Sequence, residues 1–205
     1  MTSSYRPEKA ILELDGRFHA PVDPADFPQH ITRWRNQRWA DEVGLGALGD
    51  AEWIEHFGKF APLQGSLDRP LALAYHGHQF QVYNPQIGDG RGFLFAQLRD
   101  GKGRLLDLGT KGSGQTPWSR TGDGRLTLKG GVREILAAGL LEAVGVYTSK
   151  AFSLIETGEQ LHRNDEPSPT RSSVLVRLSH SHIRFGTFQR QAYAGDADAI
   201  GKLIE

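Results

Sequence analysis

Four short stretches between Gly88 and Glu134 hold residue types that can grip a polyphosphate. Gly88-Asp89-Gly90-Arg91-Gly92 is a turn whose missing side chains let backbone N–H groups approach phosphate oxygens. Lys111, within Asp107-Leu-Gly-Thr-Lys111-Gly-Ser-Gly114, supplies a point charge. Thr121-Gly-Asp123-Gly124-Arg125 is a second glycine-rich loop, and Arg133-Glu134 offers a carboxylate able to hold the lysine in place. Flexible backbone, cation and anchoring anion in that order suit a nucleotide's phosphates.

Each piece has a plainer explanation. Gly88-Asp-Gly-Arg-Gly fits neither the dinucleotide nor the kinase glycine spacing, and Gly-Asp-Gly alone is often a turn. Lys111 would serve equally as a solvated strand-end lysine, and Glu134 as part of an exposed helix-face pair. The loop from Gly112 to Gly124 resists that treatment. Loops above about 12 residues are uncommon in compact domains and are usually functional or disordered, and this one carries Trp118, Ser119 and Arg120 among its glycines. All the pieces together, in the order of a protein-kinase small lobe, favour a phosphate site.

Such a site needs a strand under Lys111 and a helix under Glu134. Gly92–Leu98 and Arg104–Lys111 read as strands joined by the Asp100-Gly-Lys-Gly103 turn. Alternation puts Leu106, Leu108 and Thr110 on one face; Leu105, Asp107, Gly109 and Lys111 share the other, where Gly109 leaves room beside Lys111. Val132, Ile135, Leu136, Leu140, Ala143 and Val144 follow helical spacing, with Gly145 placed to end the helix. Ala151–Glu156 and Ser173–Leu178 complete the strands, joined by the polar stretch 162–171. Residues 1–70 are polar and proline-interrupted, with short helices expected over Ile31–Trp39 and Ala51–Phe57. The expected fold class is α+β: a kinase-like small lobe over 71–190, with a mostly antiparallel twisted sheet of about five strands and one packed helix. A partly helical extension over 1–70 precedes it, and 191–205 begins a further lobe.

Composition excludes several classes. At 205 residues the chain can build one sizeable core. Basic and acidic residues balance at 24 each, which disfavours nucleic acid as a partner. There is no cysteine for disulfides, thiol chemistry or zinc. No apolar run reaches the roughly 18 residues that span a bilayer, and the acids among residues 1–27 suit neither a signal nor a transit peptide. A cytoplasmic protein without membrane attachment is the expectation.

Longer motifs make a resemblance specific. Gly77-His-Gln-Phe80, Gly88-Asp-Gly-Arg91, Lys111-Gly-Ser-Gly-Gln-Thr-Pro117, Ser119-Arg-Thr-Gly-Asp-Gly-Arg125, Arg133-Glu134, Thr157-Gly-Glu159 and Ser181-His-Ile-Arg-Phe-Gly186 resemble the selenoprotein O family. These are kinase-fold protein adenylyltransferases; the resemblance runs from about Ala72 to Arg190. It implies ATP held in a flipped orientation, so that AMP passes to serine, threonine or tyrosine hydroxyls of protein substrates. By resemblance Gly88, Gly90 and Arg91 line the nucleotide, and Lys111 contacts phosphate with Glu134 as its ion-pair partner. Asp123 and Gly124 lie in the second loop, and Arg177 and Arg184 reach the nucleotide. Guanidinium groups bind phosphate oxygens bidentately, which suits that set.

A magnesium or manganese ion is also implied. In the family its ligands and the aspartate base follow the Ser181–Gly186 motif by some tens of residues, in a helical large lobe. The sequence stops at Glu205, and no role is carried onto Asp165, Asp196 or Asp198. The expectation is therefore the ATP-binding, amino-terminal part of a larger enzyme, inactive alone, with an apolar surface where the large lobe docks. Two departures stand out: Gln81 where many members have glycine, and Lys129-Gly130-Gly131 where arginine and two serines are usual. Glycines cap a helix less firmly than serine. Two other readings compete. His76, His78, His180 and His182 could form a zinc site, and Trp34, Arg35, Arg38 and Trp39 with the arginines near Arg184 could bind single-stranded nucleic acid.

Overall fold

The computed structural model describes residues 4–120, 123–164 and 166–205. In chain order the elements are β1 (Pro7–Glu8), β2 (His19–Pro21), β3 (Ile31–Arg35), α1 (Gln37–Glu42), α2 (Asp50–Phe57), β4 (Leu71–Leu73), β5 (Gly77–Gln79) and β6 (Val82–Asn84). There follow β7 (Leu94–Arg99), β8 (Leu105–Lys111), β9 (Leu126–Thr127), α3 (Leu128–Ala143), β10 (Lys150–Leu161), β11 (Thr170–Ser179), α4 (Phe185–Ala194) and α5 (Ala197–Ile204). The class is α+β.

Alternating side chains give a sheet with two covered faces. Among the described residues it has nine strands in the order β2-β4-β7-β8-β11-β10-β3, with β1 on β7 and β9 on β11. Every pairing is antiparallel. Leu106 and Leu108 of β8 and Val174, Val176 and Leu178 of β11 bury one face against Trp53 and Phe57 of α2. On the other face Leu154 and Leu175 pack with Leu126 and, from α3, Leu128 and Ile135. Lys111 lies opposite Leu175 in the ladder and so shares the α3 face.

The sheet is wider than the expected five strands because the first seventy residues add β1, β2 and β3 to it. Ile31–Arg35 is a strand, not part of a helix over Ile31–Trp39. Its Ile, Thr and Trp suit a pleated surface, and it pairs with β10 through Ile31↔Glu156 and Trp34↔Leu154. The helix begins only after Asn36, whose side chain accepts the Trp39 N–H.

Helix α3 starts at Leu128 rather than Val132. Thr127 caps it by accepting the Gly130 N–H at 3.0 Å. Gly131 serves contact rather than capping: a Cβ there would meet Leu154 Cδ1 at 2.5 Å. Gly131 thus lets α3 lie close on the sheet. Its outer face leaves Val132, Leu136, Leu140 and Val144 exposed.

Three strands are clamped together by Glu156 on β10. Its carboxylate accepts from Arg171 Nε of β11 and Arg33 Nε of β3, both at 2.6 Å. The Arg171 hydrogen bond, more than burial or Arg33, sets the Glu156 pKa, lowered to about 2. A depressed carboxyl stabilises the fold above its unfolded pKa and loses that contribution as pH falls through its folded value. Glu156→Gln is expected to cost roughly 2 kcal/mol at neutral pH, the scale of charge-assisted hydrogen bonds. In urea titrations the deficit should shrink as pH falls from about 4.5 toward about 2.

Candidate nucleotide site

A cavity of about 410 Å³ opens on the α3 face of the sheet. Its wall is built from the 87–92 turn, the end of β8, Arg177 of β11, the residues Trp118, Arg120 and Asp123, and the segment after β11. Gly88, Gly90, Arg91, Lys111, Asp123, Arg177 and Arg184 all line it. Five cations, Arg91, Lys111, Arg120, Arg177 and Arg184, face two carboxylates, Asp89 and Asp123. That excess, in a volume typical of small-ligand pockets, suits a polyanion.

Glu134 stands behind this wall and organises it. One carboxylate oxygen pairs with Lys111 Nζ, and the other lies 3.4 Å from Arg177 Nη1. The sheet supplies both cations and α3 supplies the anion, so the pair fixes the helix as well as the lysine. Arg177 keeps one nitrogen, Nε, buried without a hydrogen-bond partner among the described residues.

The glycine turn is strapped to the second loop. Thr116 Oγ1 donates to the Asp89 carbonyl, Ser119 Oγ donates to the Gly90 carbonyl at 2.7 Å, and the Gly112 N–H donates to the Arg91 carbonyl at 2.7 Å. At Gly88 a Cβ would enter the Trp118 ring at 2.5 Å. Glycine there answers to loop packing as well as to any ligand. Asp123 accepts from Arg91 Nε at 3.1 Å and the Arg120 N–H at 2.9 Å. Gly124 is not on the wall; its carbonyl accepts the Gly114 N–H at 3.2 Å, closing the loop. Thr121, Gly122 and Asp165 lie outside the described residues.

Asp89 holds Arg184 in place: Arg184 Nη2 donates to it at 3.2 Å, as does the Leu73 N–H. Burial raises the Asp89 carboxyl above the usual range, against the pull of Arg184. The room expected beside Gly109 is taken. The His182 ring lies on that glycine, so that a Cβ would fall 2.0 Å from Nε2. His182, Asp89, Arg120 and Trp118 are wall residues that sequence reasoning did not assign. The first three fall within quoted motifs and Trp118 lies between two of them, but nothing in their spacing shows which way they point. Gln81 departs from glycine at a cost: the β5–β6 hairpin turns through Phe80 and Gln81 at φ of 53° and 66°. That hairpin brings Gln79 to the cavity, where Arg120 Nη1 donates to it at 3.0 Å.

The sequence pattern of the family described as protein adenylyltransferase SelO matches residues 1–205. The chain belongs to the SelO family. It is 52% identical over 210 residues to the protein nucleotidyltransferase YdiU of Synechococcus elongatus, covering 100% of this chain and 41% of that protein. It is 56% identical over 200 residues to the YdiU of Trichodesmium erythraeum, covering 96% of this chain and 41% of the relative. The Vibrio cholerae YdiU is 39% identical over 199 residues, 96% of this chain and 39% of that protein. The chain thus spans about two fifths of the length of these SelO-family relatives.

The other readings do not assemble. His76 faces Tyr83 and Tyr193, His180 stacks on Tyr147, and His182 sits in the cavity. Among the described residues no three His, Asp or Glu side chains group as a metal site, and Asp89 and Asp123 already face guanidinium groups. The described residues therefore do not fit a divalent ion. Arg38 and Trp39 both bind Glu142, Arg35 lies over Trp53, and Arg184 faces the cavity instead.

The Lys111 and Glu134 side chains are 28% and 27% exposed, between the surface and buried regimes. Glu134→Ala leaves two cations facing each other and is expected to cost about 1–3 kcal/mol in chemical unfolding, more than an exposed pair and less than a sealed one.

Proposed function

We propose that this chain is the ATP-holding part of an adenylyltransferase that passes AMP from ATP to serine, threonine or tyrosine hydroxyls of proteins. The observation that carries the reading is the Lys111–Glu134–Arg177 cluster facing the glycine turn across one cation-rich cavity. Strand order supports a kinase-like small lobe over 71–190. The run β4-β7-β8-β11-β10 has the glycine turn between β4 and β7, and α3 between β8 and β10.

In this reading Lys111, Arg177 and Arg184 hold the triphosphate, while Gly88, Gly90, Arg91 and Asp123 shape the nucleotide's other side and Gly124 closes the loop that carries Asp123. The acceptor hydroxyl attacks the α-phosphorus, the bond to the β-phosphate bridging oxygen breaks, and pyrophosphate leaves with that electron pair. Charge builds on the leaving group, and positioned guanidinium and ammonium groups stabilise it. A divalent ion, when bound, supplies further charge neutralisation. We place its ligands and the base that takes the hydroxyl proton in the part of the family's length that this chain does not span. No described helix is long and apolar enough to cross a membrane.

Calorimetric titration should show ATP binding that weakens about ten- to hundredfold in Lys111→Ala, the scale of a lost charge-assisted hydrogen bond. Incubated with α-labelled ATP, magnesium or manganese and an acceptor protein, the chain alone should leave the acceptor unlabelled. Label that vanishes in Lys111→Ala would place the whole reaction within these 205 residues.

A further inference from the structure

Beneath the cavity, three side chains from different parts of the sequence form one hydrogen-bonded line. The Ile11 N–H donates to Gln97 Oε1 at 2.7 Å, which turns the amide nitrogen of Gln97 toward Asp107. Gln97 Nε2 then donates to Asp107 Oδ1 at 2.7 Å. The other oxygen, Oδ2, accepts the His182 backbone N–H at 2.7 Å and lies 3.4 Å from His182 Nδ1. Both side chains are well buried, Asp107 at 4% exposed and His182 at 10%. The ring rests on Gly109, the one residue type that admits it there. Nε2 has no hydrogen-bond partner among the described residues, and His182 lines the cavity.

A carboxylate beside Nδ1 requires a proton on that nitrogen. Neutral His182 then presents only a lone pair at Nε2, whereas the imidazolium presents a donor. The surroundings set when it is charged. Asp107 of β8 and Asp89 of the glycine turn favour the cation. Lys111 of β8, Arg177 of β11, paired with Gly109 across the ladder, Arg184 of its own segment, and Arg91 and Arg120 from the loops oppose it. Glu134 of α3 is taken up by Lys111 and Arg177. An incoming phosphate brings further negative charge against the ring and favours the imidazolium.

We propose that His182 is a phosphate-binding residue of this cavity, donating from Nε2 as an imidazolium, and that Asp107 positions it. The proposal rests on the nucleotide reading and adds proton uptake to it. Phosphoanhydrides are the ligand class; adenosine lacks the group that His182 would hold.

The full chain is titrated with ATP, inorganic tripolyphosphate and adenosine between pH 6 and 8, by calorimetry in two buffers of different ionisation enthalpy. Subtracting His182→Gln data removes the ligand's own titration. The wild type should bind ATP and tripolyphosphate about five- to tenfold more tightly than His182→Gln at pH 6, the scale of one net hydrogen bond. The two should agree within about twofold at pH 8. Asp107→Asn should keep the thermal midpoint within a few degrees and lose the proton uptake; a purely structural role would weaken binding equally at every pH. The His182 ring resonances of the unaltered chain should shift when tripolyphosphate is added and stay put when adenosine is added. A wild-type to His182→Gln ratio that is constant with pH, or an equal pH dependence for adenosine, overturns the assignment and leaves the nucleotide reading standing. Absence of ATP and tripolyphosphate binding by the wild type overturns both.

Discussion

Glu134 is the charge on which this architecture turns. The sheet gathers Lys111 and Arg177 on adjacent strands, and two cations at such spacing repel unless an anion stands between them. Helix α3 brings that anion. It can do so because Gly131 lets the helix settle against Leu154 and Thr127 caps its first turn. Sheet, helix and cavity wall are therefore one electrostatic and steric unit.

The same economy recurs around the cavity. Arg91 and Arg120 lean on Asp123, and Arg184 leans on the buried Asp89. Each carboxylate keeps a guanidinium extended and oriented before any ligand arrives, which lowers the ordering cost of binding an anion. The excess of cations over carboxylates is what remains for the ligand. Where a group is held by its own partner, as His182 is by Asp107, geometry is set from beneath while the residue still lines the cavity.

The first seventy residues are structural partners of the site rather than a separate strand-free leader. β2 and β3 lie at the two ends of the sheet's strand order. Trp53 and Phe57 fill the core under β8 and β11, with Trp53 stacked on Phe152 at 5.2 Å. Ile11 even orients Gln97, one of the residues beneath the cavity. Packing from the first part of the chain thus supports the strands that carry the cavity wall.

Local pattern was enough for β7, β8, the Asp100–Gly103 turn, α2, the body of α3 and the face on which Lys111 lies, because alternation and helical spacing are read within a few residues. The order of glycine turn, lysine, loop and glutamate, with the motifs of the SelO family, was likewise written in the chain. The rest depended on distant partners. Ile31–Arg35 became a strand because β10 offered a ladder that local propensity cannot announce. Gly130 and Gly131 looked like a weak helix start until Thr127 and Leu154 were in place. Gly109 looked like open space until His182, more than seventy residues later, lay across it. Spacing along a chain specifies which side chains can share a face. Which of them meet across the cavity is decided by long-range register and close packing, and those exist only in the folded sheet.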